Sequence, residues 1–588
     1  MSPSFLLSLL TIAPALDSAL PQASPISLTL TTSQKGEELP VFQGTGGGFG
    51  TSNYAGEPNR EADHATVAIS PETLDILVVW HSDVIQSDFE AQPNPRPAVK
   101  HVEAMYLEHS FDGLGQHVWT AIGGYPNTGE YVSLLGDTTY NTNDVDPLLI
   151  GPASNKCERP SVTAVGEYFC VVWTRTYYTA GYGPGGTTIP NDPAITECVW
   201  VRKNGTGSTA SVGVHGLTGG GAGFAGAGFP LSSSSSATVA IKVDECAGVA
   251  DVAMRWEDDL STPLVEDPQV VVLFVEQKRA GGLTLNAVMD DGYNDLDIGD
   301  GSRDFDVHLV ECRFVDPAGA GTVQLVPGDV MKTVHFDGWT AKDGSNFIID
   351  TGGLVLPELV RGADEDSFAA ILEDQAYSPG FQGHTSFRGR IRLAFLTESG
   401  GWDLPSYQTI WDYSTGPDDG YRRRPMLSAF GSNSFFLTYI LGPSAFPLNN
   451  GDVTLQEWMV SAGSLTILHD YNADTGFNHP RLDDTDNQVR PIVVAGSGGY
   501  RRCYWEQLDT GPDPDQCVIW RQDAFADDTV DPPDDVVRQD NFLGHVAADY
   551  AYYAAGVKPH LTVLTWEQQS DKGPVFPNKR IFIKVLGE

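Results

Sequence analysis

Apolar and polar residues alternate along this chain in short runs, and helical periodicity is scarce. One run recurs: an apolar strand that closes on a large residue, often followed by Glu and another polar residue. It reads Leu77-Val-Val-Trp80-His, Cys170-Val-Val-Trp173-Thr, Val272-Leu-Phe-Val275-Glu-Gln and Ala369-Ala-Ile-Leu372-Glu-Asp. It returns as Phe436-Leu-Thr-Tyr439-Ile, Arg502-Cys-Tyr-Trp505-Glu-Gln and Leu561-Thr-Val-Leu-Thr-Trp566-Glu-Gln. A spacing of roughly 60–100 residues marks a repeat architecture of one supersecondary unit used many times. Gly, Pro, Asn and Asp punctuate the runs, as in an all-β protein.

Each repeat reads as four strands. In the second, Pro160–Val165, Tyr168–Thr174 and Ile195–Arg202 are strands one to three, with a turn at Lys203-Asn-Gly205 and a short fourth strand beyond it. Four-stranded antiparallel units repeated radially predict an all-β, seven-bladed β-propeller. The last segment, Arg580–Val585, has the place of a third strand, and Ile26–Thr31 is a strand with no blade of its own. Pairing of Ile26–Thr31 beside Arg580–Val585 would complete the last blade, close the ring and cover an exposed edge. Residues 20–588 are thus expected to form one domain, with a Gly/Ser-rich low-complexity insertion at 205–237. The Gly44–Gly50 run lacks the strand-before, helix-after setting of a phosphate cradle and reads as a turn.

Composition narrows the partners. With 35 Lys plus Arg against 77 Asp plus Glu, the net charge is −42. Nucleic acid and anionic membranes are bound through clustered cations, so neither is an expected partner. The expected partner is a glycan or protein ligand at the propeller face, with the chain a monomer. The run Phe5–Ile12 followed by Ala13-Pro-Ala15 or Asp17-Ser-Ala19 reads as a signal peptide over residues 1–19, implying export to the cell surface, the periplasm or the medium. It is too short to span a bilayer, and no other segment reads as a spanning helix. Cys170 with Cys198, and Cys503 with Cys517, occupy matching places on neighbouring strands and predict two cross-strand disulfides. Buried thiols are the alternative; Cys157, Cys246 and Cys312 are left over, so at least one thiol is expected unbridged.

Chemistry is expected on one rim. The start of strand one lies beside the end of strand two in a hairpin. A cation and Pro precede strand one at Arg159-Pro160, Arg424-Pro425, Arg490-Pro491 and Lys558-Pro559. Strand two ends in Glu276, Glu373, Glu506 and Glu567. The same rim takes the long loops from Thr174 to Ala194 and Glu276 to Arg303. Two readings stand. Pro begins inner strands and Arg–Glu pairs tie blades together, a structural role. Alternatively the arginines grip a carboxylate or sulfate, with a rim carboxylate free for acid–base work. Asp295, Asp297, Asp300 and Asp304 form an Asp/Gly-rich loop that could hold Ca2+, or be merely solvated. No cofactor is required, and the Gly-x-Ser-x-Gly, His-Glu-x-x-His and clustered Cys-x-x-Cys motifs are absent.

The turn Ser110-Phe-Asp112-Gly-Leu-Gly115-Gln-His-Val-Trp119 resembles an Asp-box, the Ser-x-Asp-x-Gly-x-Thr-Trp turn of sialidase-type propellers, with Gly and Trp later than in the family pattern. Glu398-Ser-Gly-Gly-Trp402 is a poorer match. The resemblance implies a propeller in which such turns are structural and sit on the rim away from the chemistry. In that superfamily an arginine triad, a tyrosine–glutamate nucleophile pair and an aspartate acid form the active site. Arg159, Arg424 and Arg490 would be the triad; no Tyr or Asp is assigned by motif. Two functions are therefore carried forward. One is a non-catalytic recognition or scaffold module. The other is a sialidase-like extracellular glycosidase or lyase acting on acidic glycans, in which two carboxylates about 5–5.5 Å apart would serve a retaining mechanism.

Overall fold

The computed structural model describes residues 29–31, 39–40, 59–85, 99–122, 132–133, 153–179, 195–204, 211–215, 229–230, 246–258, 266–277, 305–315, 324–336, 341–342, 348–349, 355–361, 367–377, 387–397, 408–411, 421–430, 434–442, 452–461, 464–471, 487–495, 501–508, 517–525, 531, 534–539, 543–552, 559–569 and 579–587. Within them the chain is all-β and its sheets are antiparallel meanders. The first unit runs through Asn59–Ile69, Ile76–Ile85, Val99–Phe111 and His117–Ile122. The second runs through Ala153–Val165, Tyr168–Thr179, Ile195–Asn204 and Ser211–His215. A single parallel bridge, Lys100 to Lys156, joins the two.

The third unit comprises Cys246–Asp258, Glu266–Gln277, Phe305–Val315 and Gln324–Phe336. The fourth comprises Val355–Arg361, Ser367–Tyr377, Phe387–Thr397 and Gln408–Trp411. The fifth holds Tyr421–Phe430, Ser434–Gly442, Asp452–Ser461 and Ser464–Asp470. The sixth holds Asn487–Ala495, Arg501–Leu508, Cys517–Ala524 and Asp534–Gln539. The seventh takes Leu543–Tyr552, His560–Gln569 and Lys579–Gly587 from the end of the chain and Leu39–Pro40 from its beginning.

Alternation along a strand feeds two faces, and where side chains are described these faces pack against neighbouring units. Leu77, Val79 and Tyr106 of the first unit meet Phe169, Val171 and Trp173 of the second. Phe436 and Leu455 of the fifth meet Trp505 and Trp520 of the sixth. Tyr504 and Ile519 of the sixth meet Leu564 and Trp566 of the seventh. Val563, Ile581 and Ile583 of the seventh meet Val67, Trp80 and Trp119 of the first, so the two ends of the repeat share a core. The first strands also touch in chain order, from Asn59–Ile69 against Ala153–Val165 through to Leu543–Tyr552, which returns to Asn59–Ile69.

The segment that completes the last unit differs from expectation. Thr29–Thr31 pairs with the outer strand of the first unit, Leu30 opposite Trp119, and not with Arg580–Val585. Leu39 and Pro40 pair with Ile583 and Phe582 instead. The first and last units adjoin, so two sheet edges compete for the incoming chain. Ladder hydrogen bonds do not discriminate between them, and an alternating run fits either edge. The Gly/Ser-rich insertion supplies Ser211–His215 and also Phe229–Pro230, which pairs with Glu197 and Cys198.

Both disulfides are corrected by register. Cys198 pairs with Val172 and Cys170 with Trp200, so the two thiols are diagonal neighbours. Diagonal positions lie about 7–8 Å apart, beyond the roughly 4.4–6.8 Å that a disulfide spans. Cys503 pairs with Gln522, while Cys517 pairs with Leu508 further along the same strand. At about 3.3 Å per residue that offset is roughly 17 Å, with the two residues on opposite faces. Cys170, Cys198 and Cys503 are buried thiols. Burial pushes the Cys503 thiol up to about 12, against hydrogen bonds from Thr438 and the backbone of Ile492.

Candidate functional site

Arg159-Pro160, Arg424-Pro425 and Arg490-Pro491 do not precede their strands, as the sequence suggested. They lie inside them, as β-bulges. In the second unit Glu158 pairs with Thr174 and Ser161 with Val172, leaving Arg159 and Pro160 opposite Trp173. In the fifth, Arg424 and Pro425 lie opposite Tyr439, between the Arg423–Ile440 and Met426–Thr438 pairs. In the sixth, Arg490 and Pro491 lie opposite Trp505, between Val489–Glu506 and Ile492–Tyr504. Proline cannot donate to a ladder, so a bulge is a place where a strand tolerates it.

The same irregularity falls at the same place in three further units. His64-Ala65 lies opposite Trp80, Gly248-Val249 opposite Val275 and His545-Val546 opposite Trp566. The recurring large residue of the sequence is thus the residue that faces the bulge. Only the fourth unit runs straight here, with Leu356, Pro357 and Glu358 paired to Glu373, Leu372 and Ile371. His64 has φ 52°, in the left-handed region that His tolerates better than most side chains.

The glutamates that follow the recurring residue are interior to strand two, which runs on past them. Two of them are resolved in detail, and both serve the backbone. Glu506 is 1% exposed, and its Oε1 accepts the N–H of Val546 at 2.8 Å, in the bulge of the next unit. Glu567 is 0% exposed and accepts the N–H of His64 through Oε1, in the bulge of the first unit. A bulge frees ladder donors, and a buried N–H needs an acceptor. A carboxylate from the preceding sheet supplies it. Glu506 and Glu567 therefore act as clasps between units, each through a buried carboxylate oxygen on a backbone N–H. Of Arg159, Arg424, Arg490, Glu276 and Glu373 the backbone position is established: all fall at this level of their units. Lys558, the calcium-loop candidates Asp295, Asp297, Asp300 and Asp304, the Gly44–Gly50 run, residues 1–19 and most of the long rim loops lie outside the described residues. Among the described residues no group of three or more His, Cys, Asp or Glu side chains is gathered to hold a metal.

A second polar cluster, missed by the sequence reading, ties the first unit to the second at the other end of the strands. Buried Asp75 accepts from the Tyr106 hydroxyl at 2.8 Å and from the His109 N–H at 2.7 Å. Lys203 reaches both Asp75 and Glu108 at 3.1 Å. Burial and the Asp75 charge push the Tyr106 phenol upward. Desolvation lowers Lys203, but the charges and hydrogen bonds of Asp75 and Glu108 together outweigh it and the ammonium is held above its ordinary value. His109 lies 2.9 Å from His117, and burial, then the His117 and Lys203 charges, lower it to about 4. Beside this cluster the turn at Asp112 is closed by its own carboxylate, which accepts from Leu114 and Gln116 N–H at 2.8 Å each. Gly115 takes φ 78° there. Trp119 is buried, with its indole N–H on the Leu74 carbonyl at 2.7 Å. These contacts make the turn a structural lock, and no reactive pair is assembled in it.

No protein-family model matches the chain, and no curated protein matches it. Solved structures are similar only remotely. The sialidase of Trypanosoma rangeli in complex with the inhibitor DANA is 11% identical with a TM-score of 0.34, over 73% of this chain and 54% of that one. This chain therefore spans about half the length of that sialidase. A PL25 ulvan lyase bound to -[GlcA(1-4)Rha3S]- is 9% identical with a TM-score of 0.37, over 91% of this chain and 96% of that one. The endo-arabinase of Bacteroides thetaiotaomicron is 9% identical with a TM-score of 0.24, over 48% of this chain and 90% of that one. Among the described residues no helix is long and apolar enough to cross a membrane.

Proposed function

We propose that the chain is an exported, monomeric seven-bladed β-propeller that serves as a non-catalytic recognition module for an acidic glycan. The ring is supported by the seventh unit sharing a core with the first and by the return of contacts between first strands to their starting point. Export rests on the apolar N-terminal run alone, since Cys170, Cys198 and Cys503 form no bridges that would argue for an oxidising compartment. The recognition reading rests on one observation: Arg159, Arg424 and Arg490 hold the same bulge position in three units. Inner strands of a propeller bring such equivalent positions around one channel, and guanidinium groups bind carboxylate or sulfate in a fork. Glu506 and Glu567 each give one buried carboxylate oxygen to a backbone N–H, which favours a framework role for these two residues.

Binding of sulfated and uronate oligosaccharides to the purified chain, measured by calorimetry, tests the reading. We expect reversible binding, lost on Arg159→Ala, Arg424→Ala or Arg490→Ala, with the oligosaccharide recovered intact. No binding would end the recognition reading. Release of cleaved sugar or an unsaturated uronide would move the assignment to the second reading, a sialidase-like glycosidase or lyase on acidic glycans. The same three arginines favour that reading, and Glu276 and Glu373 would be its remaining carboxylates.

A further inference from the structure

We infer that His109 and His117 form an acid-sensitive latch on the outer strand of the first unit, and that protonating the pair releases the N-terminal strand Thr29–Thr31 carried by that outer strand. The latch is independent of what the protein binds.

Register builds the latch. Where Val99–Phe111 pairs with His117–Ile122, His109 lies opposite Trp119 and Phe111 opposite His117. Alternation puts these four residues on one face of the sheet. Their rings form one block. The His109 ring centre is 4.8 Å from that of Phe111, 5.1 Å from His117 and 5.3 Å from Trp119. His117 lies 5.0 Å from Phe111 and stacks on Trp119 at 5.8 Å. Inside the block Nε2 of His109 is 2.9 Å from Nδ1 of His117, and His117 is 1% exposed. The other edge of His117–Ile122 carries the N-terminal strand, with Thr31 opposite Val118 and Leu30 opposite Trp119. The block therefore fixes the outer strand at the residues on which Thr29–Thr31 is laid.

A hydrogen bond between two imidazoles needs one nitrogen that accepts. Once both rings are protonated, two donors face each other and like charges repel. The surroundings act against protonation: burial, then the charges of His117 and Lys203, lower His109 to about 4. The acids around the pair are engaged. Asp75 accepts from the Tyr106 hydroxyl and the His109 N–H, and with Glu108 it holds the Lys203 ammonium. Asp112 accepts from the amides of its own turn, Glu72 from the Gly166 N–H, and Glu167 pairs with Arg202. From the seventh unit, Val563, Ile581 and Ile583 share the core of Trp119, and Asp549 is bound to the Ile69 N–H. A histidine lowered on folding favours the folded state above its ordinary value. That contribution is lost as pH falls from about 6.5 through about 4. The outer strand then loosens, and the departure of Thr29–Thr31 bares its edge.

Hydrogen exchange of the full-length chain tests the latch, with rates at about pH 7 and about pH 5 each corrected for intrinsic exchange. Peptides covering His117–Ile122 and Thr29–Thr31 should open about tenfold more often at the lower pH, once screening of the half-buried His109 by water is allowed for. Arg501–Leu508 of the sixth unit should keep its protection. Joint replacement His109→Phe and His117→Phe puts apolar rings of similar shape at both partners, a change that can be nearly neutral. This double variant should protect both strands at pH 7 and lose the acid response. Equal wild-type protection at the two pH values would overturn the latch. An equal acid response in the folded double variant, or in Arg501–Leu508, would overturn it too, because the loosening would then be general. Opening of His117–Ile122 with Thr29–Thr31 still protected would overturn the release of the N-terminal strand. Should the double variant fail to fold, the wild-type comparison with Arg501–Leu508 decides alone.

Discussion

Replacing Glu506 by Ala removes the acceptor for the Val546 N–H, at a site where donor and acceptor are both buried. A buried amide left without an acceptor costs about 1–3 kcal/mol, so about 2 kcal/mol is the working figure. A thermal scan would barely register it. At about 2.1 cal/mol/K per residue, a chain of 588 residues unfolding as one would shift by less than about 2 °C. Local opening is far more sensitive, because about 2 kcal/mol multiplies an opening constant roughly 30-fold. Hydrogen exchange followed on peptides covering Leu543–Tyr552 should therefore accelerate by about that factor in Glu506→Ala, with strands of the third unit unchanged. Glu506→Gln keeps an acceptor oxygen and should fall between the two. Equal protection of Leu543–Tyr552 in wild type and Glu506→Ala would refute the clasp, as would a Gln variant no better than Ala.

Arg501 donates to Glu457 at 2.7 Å with both side chains buried, so Arg501→Ala should destabilise the fifth–sixth interface by about 3–5 kcal/mol in denaturant unfolding. Cys170, Cys198 and Cys503 should resist a thiol reagent in the native protein and react once it is unfolded without reductant; retained protection there would restore the disulfides. Burial raises Asp549 to about 6, against hydrogen bonds from Ile69 and Tyr550 N–H. Its protonated form is thus favoured on folding, and this contribution is lost as pH rises from about 4 through about 6; Asp549→Asn should flatten that part of a stability–pH curve. Removing residues through Pro40 should expose the Phe582–Ile583 edge and lower solubility more than removing residues through Thr32, measured by sedimentation of the two truncated chains.

The repeat was legible because its signal is redundant. Alternation, turn residues and the recurring Trp or Tyr agree in most units, and the observed strands follow them. Register was not legible, and it decided the errors. Cys170 and Cys198 sit on adjacent strands, as their places in the repeat suggested, yet a two-residue offset separates them. Ile26–Thr31 announces a strand through alternation but carries no mark of which edge it joins. Leu39–Pro40, the segment that completes the seventh unit, is too short to show any period. The Asp75–Tyr106–Lys203 cluster joins residues far apart in sequence, with no spacing to betray it.

The bulge was half-legible, and the half that was missed changes the chemistry. Arg-Pro and Glu are conspicuous in the sequence and suggested one mixed rim of cations and carboxylates. An Arg-Pro pair inside a strand requires an extra residue, and that extra residue leaves backbone donors without their ladder partners. Glu506 and Glu567 meet that need from the neighbouring sheet. One local irregularity thus separates two residue types that the sequence presents together: Glu506 and Glu567 serve the framework, and on the proposed reading Arg159, Arg424 and Arg490 are the positions left to a ligand. On that reading an anionic ligand would meet cations at this level of the first strands, on a chain whose overall charge is −42.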